Sequence, residues 1–349
     1  MQTPRQPSAK SSAFGRRSWP LALVLMFAAT PGRAPAQDAP AGPTYTNPVY
    51  AKDFPDPFVL RDGDKYYAYA TQTRGTGFQV MESPDLVHWK NLPLDFPIPW
   101  SREHYWAPEV VHHRGLYYLT YSARDPQTRN HHIAIATAPK PTGPFVHRDF
   151  LVKGDDNEVG VIDATHFFEP DGSAALIYSE ETPRRIVLRS AAPDLLSVGA
   201  EVIELIRPEL DWERGVVEAP SIVLRNGVYH LFYSAGPYEG TKVGGRYAVG
   251  HATSKALKGP YTKSPRPILE SVEGATYGPG HQTVINTPDG GWWLMYHAWD
   301  NVGQPRYGQN PSGRTLRLDR IEWSGDEPKV VGPTLTPQAA PTIAAGAAR

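Results

Sequence analysis

The stretch Phe54-Pro-Asp-Pro-Phe-Val-Leu-Arg-Asp-Gly-Asp-Lys-Tyr-Tyr-Ala-Tyr-Ala-Thr71 reads as a strand, a tight Asp-Gly turn and a second strand of alternating aromatics. That is a strong short-range hairpin signal. Its shape returns four times. Gly115 is followed by Leu-Tyr-Tyr-Leu-Thr-Tyr-Ser, and Gly172 by Ser-Ala-Ala-Leu-Ile-Tyr-Ser. Gly227 is followed by Val-Tyr-His-Leu-Phe-Tyr-Ser, and Gly291 by Trp-Trp-Leu-Met-Tyr-His. Counted from Gly63, the intervals are 52, 57, 55 and 64 residues. A hairpin recurring near every 50 residues is the pattern of a β-propeller, with one sheet per repeat. Five copies predict an all-β, single-domain, five-bladed propeller.

A third strand follows each hairpin, as at Gly77–Glu82, His132–Thr137 and Tyr247–Thr253. The last two continue alike, with Gly-Pro and an aromatic six residues after the Thr, which fixes their register. Aromatics such as Tyr67, Tyr118, Tyr178, Tyr233 and Tyr296 read as blade core. No segment carries a convincing helical period.

Residues 1–36 hold Arg5, Lys10, Arg16, Arg17 and Arg33, no acid, and an 11-residue apolar run from Trp19 to Ala29. Ala34-Pro35-Ala36 then offers a small-x-small cleavage site. This is the pattern of a secretory signal peptide, too short to span a bilayer, and it predicts a secreted or periplasmic protein. Arg16-Arg17 also resembles a twin-arginine signal, but the Ser-Trp-Pro-Leu that follows fits poorly. Removing the five leader cations leaves 30 basic against 36 acidic residues, a net charge near −6. That balance argues against nucleic acid or an anionic membrane as partner. There is no Cys, hence no disulfide, thiol nucleophile or thiolate metal site. Residues 37–44 and 338–349 are rich in small residues and read as flexible ends around a propeller at 45–337.

In a propeller the first strand of every blade lines the central channel, so convergent chemistry belongs there. Counting nine residues back from the hairpin glycine gives Phe54, Trp106, Asp163, Glu218 and, from Gly290, His281. Asp56 lies two residues inside the first of these segments. Glu218 in Val-Val-Glu-Ala-Pro and Asp163 in Val-Ile-Asp-Ala-Thr have apolar neighbours. A charge in such a strand costs several kcal/mol unless it is paired or functional. Taken singly, Asp56 reads equally as a turn former, Asp163 as a backbone hydrogen-bonder and His281 as a core histidine. Three acids converging from three blades favour a site. The glycines around His281 point to close approach of a ligand or ion. The acidic run Asp155-Asp156-Asn157-Glu158 reads as a solvated loop.

Asn47-Pro48-Val49, Asp53-Phe54-Pro55-Asp56-Pro57, Trp106-Ala107-Pro108-Glu109, Ile162-Asp163, Val217-Glu218-Ala219-Pro220 and Gly278-Pro279-Gly280-His281 together resemble glycoside hydrolase family 43. The match runs in order over about residues 44–337. The resemblance implies a five-bladed propeller that inverts configuration on arabinose- or xylose-containing plant polysaccharides. It places the general base at Asp56, the general acid at Glu218 and the aspartate that tunes the acid's pKa at Asp163. It sets Trp106 and Phe54 against the sugar and Arg314 on its hydroxyls. His281 becomes the channel histidine, a sugar or metal contact near a bound calcium or water, although the chemistry itself requires no cofactor. The acid motif departs from the family's frequent Glu-Gly-Pro by carrying Ala219.

Inverting hydrolysis needs a protonated acid and an ionised base roughly 6.5–9.5 Å apart, with water between base and sugar. The tail from Gly313 to Thr334 resembles the exo-acting α-L-arabinofuranosidase branch, with β-xylosidase the alternative. A retaining fructan hydrolase would show Asn-Asp-Pro, Arg-Asp-Pro and a Glu-Cys acid site; the chain carries Arg124-Asp125-Pro126 but no Asn-Asp-Pro and no Cys. A non-catalytic sugar-binding propeller would repeat one aromatic site per blade rather than bring different acids together.

Overall fold

The computed structural model describes residues 42–73, 77–154, 160–238, 246–300 and 313–343. The leader at 1–36, the acidic run at 155–158 and the last residues of the tail lie outside them. Among the described residues no helix is long and apolar enough to cross a membrane.

The chain forms five four-stranded antiparallel sheets, each built from four consecutive strands in simple up-and-down order. The five innermost strands are Phe58–Asp62, Trp106–His113, Val161–Phe168, Val217–Arg225 and Thr276–Asn286. Neighbouring inner strands pack on one another around the axis. Among the described residues the one helical element is a single turn at Asp211–Glu213. The five-bladed, all-β expectation holds.

Two of the hairpins close through paired left-handed residues, Arg114-Gly115 and Asn226-Gly227. Such turns match the right-handed twist of the strands they join. The second strand of each blade carries a fully buried tyrosine: Tyr69, Tyr121, Tyr178, Tyr233 and Tyr296. Each sits in one of five apolar clusters, and every cluster draws on two adjacent blades. Core is thus distributed between blades, which lets one domain of this length bury its apolar surface. Tyr67 and Tyr118 occupy neighbouring positions, Tyr67 only partly buried.

Because each blade is made of consecutive strands, no blade is shared between the two ends of the chain. The ring is closed instead by Thr44–Tyr45 pairing with Gln338–Ala339. Asn47 adds to this by donating to Leu318 O at 2.9 Å and accepting from Leu318 N–H at 2.9 Å. The boundaries expected at 45 and 337 therefore move outward. Thr44 and residues 338–339 belong to the propeller because their backbone groups pair with each other, and Ile343 still packs on the core.

Candidate active site

β-Bulges interrupt the inner strands of blades two to five, and each of these strands places one non-glycine residue in the left-handed region. Those residues are Ala107, Asp163, Ala219 and His281, with φ of 45°, 57°, 53° and 48°. Asp56, at φ 54°, holds the same place ahead of the first inner strand. These five are the equivalent positions. The nine-residue count misplaced three of them, by up to two residues, because the hairpin glycine sits at different points in loops of different length. Phe54 is the casualty. It is fully buried in the core between blades one and five, against the Tyr50 ring, and does not line the cavity.

The bulges open a cavity of about 460 Å³ lined by Asp56, Trp106, Asp163, Glu218, His281 and Arg314. All the expected site residues except Phe54 meet there. Glu181, Arg184, Tyr238 and Tyr247 join them without having been foreseen. In an antiparallel blade the first strand starts, the second ends and the third starts at the same rim. Glu181 ends a second strand, while Arg184 and Arg314 begin third strands. The aligned strand ends were the available signal, and attention to first strands alone passes over them.

Asp56 is a hub of hydrogen bonds. Arg314 Nη1 donates to its Oδ1 at 2.7 Å, and Thr71 Oγ1 donates to Oδ2 at 2.6 Å. His281 Nδ1 and His297 Nδ1 stand 3.5 and 3.4 Å from Oδ1. Burial pushes this carboxyl up, but the Arg314 charge and the Thr71 bond outweigh it and hold Asp56 well below the usual carboxylate range. It is ionised throughout the physiological range.

Arg314 owes its place to Gly313, whose φ is +65° and where a Cβ would come within 2.1 Å of Asp53 Oδ1. That same oxygen accepts the Arg314 N–H at 2.8 Å. Phe54, in turn, donates its N–H to Arg314 O at 2.8 Å. Its role is to seat the arginine.

Glu218 lies opposite in character. Tyr247 OH donates to Oε1 at 2.9 Å and Arg184 Nη1 to Oε2 at 3.2 Å. Burial nevertheless raises its pKa, against the pull of Arg184 and Tyr247 and with help from the charges of Asp56 and Glu181. Asp163 is raised well above the usual range by burial first, then by the charges of Glu218, Asp56 and Glu181. Its Oδ2 accepts the Ala219 N–H at 3.2 Å, next door to Glu218. The pair therefore retains a proton that Asp56 does not. Ala219 holds a left-handed φ that costs a non-glycine residue about 1–2 kcal/mol, which accounts for Gly at this place in the Glu-Gly-Pro motif.

Trp106 forms a wall stacked against two imidazoles, His104 at 4.6 Å and His131 at 4.2 Å, which themselves lie 5.4 Å apart. His131 in turn pairs with Glu181 at 3.2 Å. His281 is pushed down to about 4 by burial and the Arg314 charge, and is neutral. The glycine before it makes way for protein. A Cβ on Gly280 would stand 2.2 Å from the Tyr247 ring. Among the described residues no three His, Cys, Asp or Glu side chains group to hold a metal ion. The carboxylate beside His281 already accepts from a guanidinium, a donor set that does not fit a cation.

The model of glycosyl hydrolases family 43 matches residues 45–328. The chain belongs to this family. It is 33% identical to a thermostable family-43 glycoside hydrolase of known structure, with a TM-score of 0.76 over 85% of this chain and 99% of that one. It is 29% identical to a β-D-galactofuranosidase of Aspergillus niger, across 72% of this chain and 75% of that protein. It is 26% identical to an extracellular endo-α-(1→5)-L-arabinanase of Bacillus subtilis, across 78% of this chain and 86% of that protein. Against several relatives named for β-xylosidase activity it spans only 50–57% of their length.

Proposed function

We propose that this family 43 hydrolase is exported and releases terminal α-L-arabinofuranose from arabinan- or arabinoxylan-type polysaccharide with inversion of configuration. The observation that carries this reading is the divergence of two buried carboxyl environments in one cavity, Asp56 held down by Arg314 and Glu218 raised by burial. Pairs pushed apart in this way are how one site runs acid and base chemistry together. Glu218 protonates the glycosidic oxygen as its bond to the anomeric carbon breaks. Asp56 takes a proton from the water that attacks the opposite face, and the new carbon–oxygen bond forms there. Asp163 keeps the acid supplied with its proton. Trp106 offers the sugar an apolar wall, and Arg314 a donor for its hydroxyls. Every proton moves between carboxyl groups, water and substrate.

Relatives named as arabinanase, arabinofuranosidase and β-xylosidase make xylose the second candidate. Parallel assays on 4-nitrophenyl α-L-arabinofuranoside, 4-nitrophenyl β-D-xyloside and sucrose test the choice. Release from the arabinofuranoside supports the reading, release from the xyloside alone moves it to the alternative, and hydrolysis of sucrose alone overturns it. Glu218→Gln and Asp56→Asn are each expected to lower kcat at least about 10²–10⁴-fold while leaving the thermal unfolding transition in place. Appreciable turnover by either purified variant contradicts the assignment.

A further inference from the structure

Each bulge on an inner strand takes one backbone N–H out of the sheet ladder, and a buried N–H needs another acceptor. In every blade a side chain from the second strand of the preceding blade, or from just beyond it, supplies one. Ala107 N–H donates to Thr71 Oγ1 at 2.9 Å, and Asp163 N–H to Ser122 Oγ at 3.2 Å. Ala219 N–H donates to Ser179 Oγ at 3.2 Å, and His281 N–H to Ser234 Oγ at 2.7 Å. Asp56 N–H donates to His297 Nδ1 at 3.0 Å. Four hydroxyls and one imidazole perform the same task. The exception serves the residue assigned as the base.

A hydroxyl would satisfy the Asp56 amide equally well, so the amide alone does not account for an imidazole. The ring adds a second contact. It lies parallel to Tyr247, with centroids 5.8 Å apart and planes at 6°. Tyr247 OH donates to Glu218 Oε1 at 2.9 Å. Both rings are fully buried, and Gly280 leaves room for Tyr247 from behind. His297 also carries a cost that serine would avoid. With Nδ1 accepting, the proton sits on Nε2, which meets no acceptor among the described residues. Burial and Arg314 push its protonation well below the ordinary range, so the ring is neutral.

We propose that His297 and Tyr247 act as one rigid spacer, a pair of positioning residues that sets the gap between Asp56 and Glu218. The inference rests on the acid and base assignment above and goes beyond it. Asp56 is fixed through its backbone and Glu218 through its carboxyl oxygen, with two stacked rings between. Neither spacer residue touches the bond that breaks. A reaction that needs room for one water between base and sugar depends on such a gap.

The test uses the full-length protein and whichever aryl glycoside it cleaves. His297→Ser installs the hydroxyl that serves three of the other four blades and removes the ring. Tyr247→Phe keeps the ring and removes the bond to Glu218. Each is expected to lower kcat roughly 10- to 100-fold, the scale of a misplacement near 1 Å, with KM changed less than about threefold. Because the two residues form one unit, the double variant is expected to lose little more than the worse single variant. His297→Asn, which returns an acceptor oxygen near the place of Nδ1 but no ring, is expected to stay as impaired as His297→Ser, and it carries the comparison should the serine variant not fold. A folded His297→Ser or His297→Asn with kcat within about threefold of the parent overturns the proposal, as do single losses that multiply in the double variant. Failure of the underlying reading looks different: the parent cleaves no glycoside, or Glu218→Gln retains its rate.

Discussion

Arg314 and Arg184 each reach one carboxylate of the cavity, at 2.7 Å from Asp56 and 3.2 Å from Glu218. The first pairing suits a base that must stay ionised. The second opposes an acid that must hold its proton, and Arg184 is more than a third exposed, so water screens it. The signs follow directly. Arg314 holds the Asp56 pKa down, so Arg314→Gln raises it, and the base loses its charge at a higher pH. The acid limb of the kcat/KM profile is expected to move up. Arg184 pulls Glu218 down, so Arg184→Ala lets the acid keep its proton to higher pH. The basic limb is then expected to move up. Profiles measured on an aryl glycoside check both, and a limb that moves the other way refutes the corresponding role. None of this was legible in Val-Val-Glu-Ala-Pro. The sequence marks Glu218 as a buried acid but does not say which cation will lie beside it, because Arg184 comes from another blade.

The inner strand with its left-handed bulge is the element that turns a sheet into a site. The bulge turns Asp163 and His281 toward the cavity and leaves their amides to be collected by the blade before. Ser122→Ala removes the acceptor from Asp163 N–H without touching a charged group. It is expected to destabilise the protein by about 1–3 kcal/mol, the cost of an unsatisfied buried donor. At roughly 2–4 °C per kcal/mol for a large domain, calorimetry reads this easily. An unchanged midpoint argues against the bridge between blades. The hairpins were readable because Asp-Gly, Arg-Gly and Asn-Gly turns recur before aromatic strands. The bulges were not. An inserted residue leaves no mark in a period-two pattern whose two faces are both buried, and loops of different length hide the common register. That is why the count reached Asp163 and His281 correctly but landed on Phe54 instead of Asp56. The Tyr-Ser pair closing three repeats was visible, as was its replacement by Tyr296-His297. Its meaning needed the contacts.

At the scale of the whole ring, blade number and order followed from the spacing of five glycines, while closure did not. Among the described residues the ends contain no strand long enough to show a pattern, and two residues from each side pair. Asn47 carries much of the join, with donor bonds to Leu318 O, Asp319 Oδ1 and Thr334 Oγ1. Asn47→Ala is expected to cost roughly 2–4 kcal/mol, since several buried partners lose their bonds at once. A single cooperative transition at lower temperature is the expected result, and an unshifted one shows that the ring closes by other means.

In the proposed mechanism, base and acid face each other from different blades across space for a single water. The anomeric configuration of the first product reports on it most directly. Proton NMR during the first minutes of aryl glycoside hydrolysis, before mutarotation, is expected to show the sugar with configuration opposite to that of the substrate. First appearance of the retained anomer would mean a covalent glycosyl-enzyme and would contradict the roles given to Asp56 and Glu218.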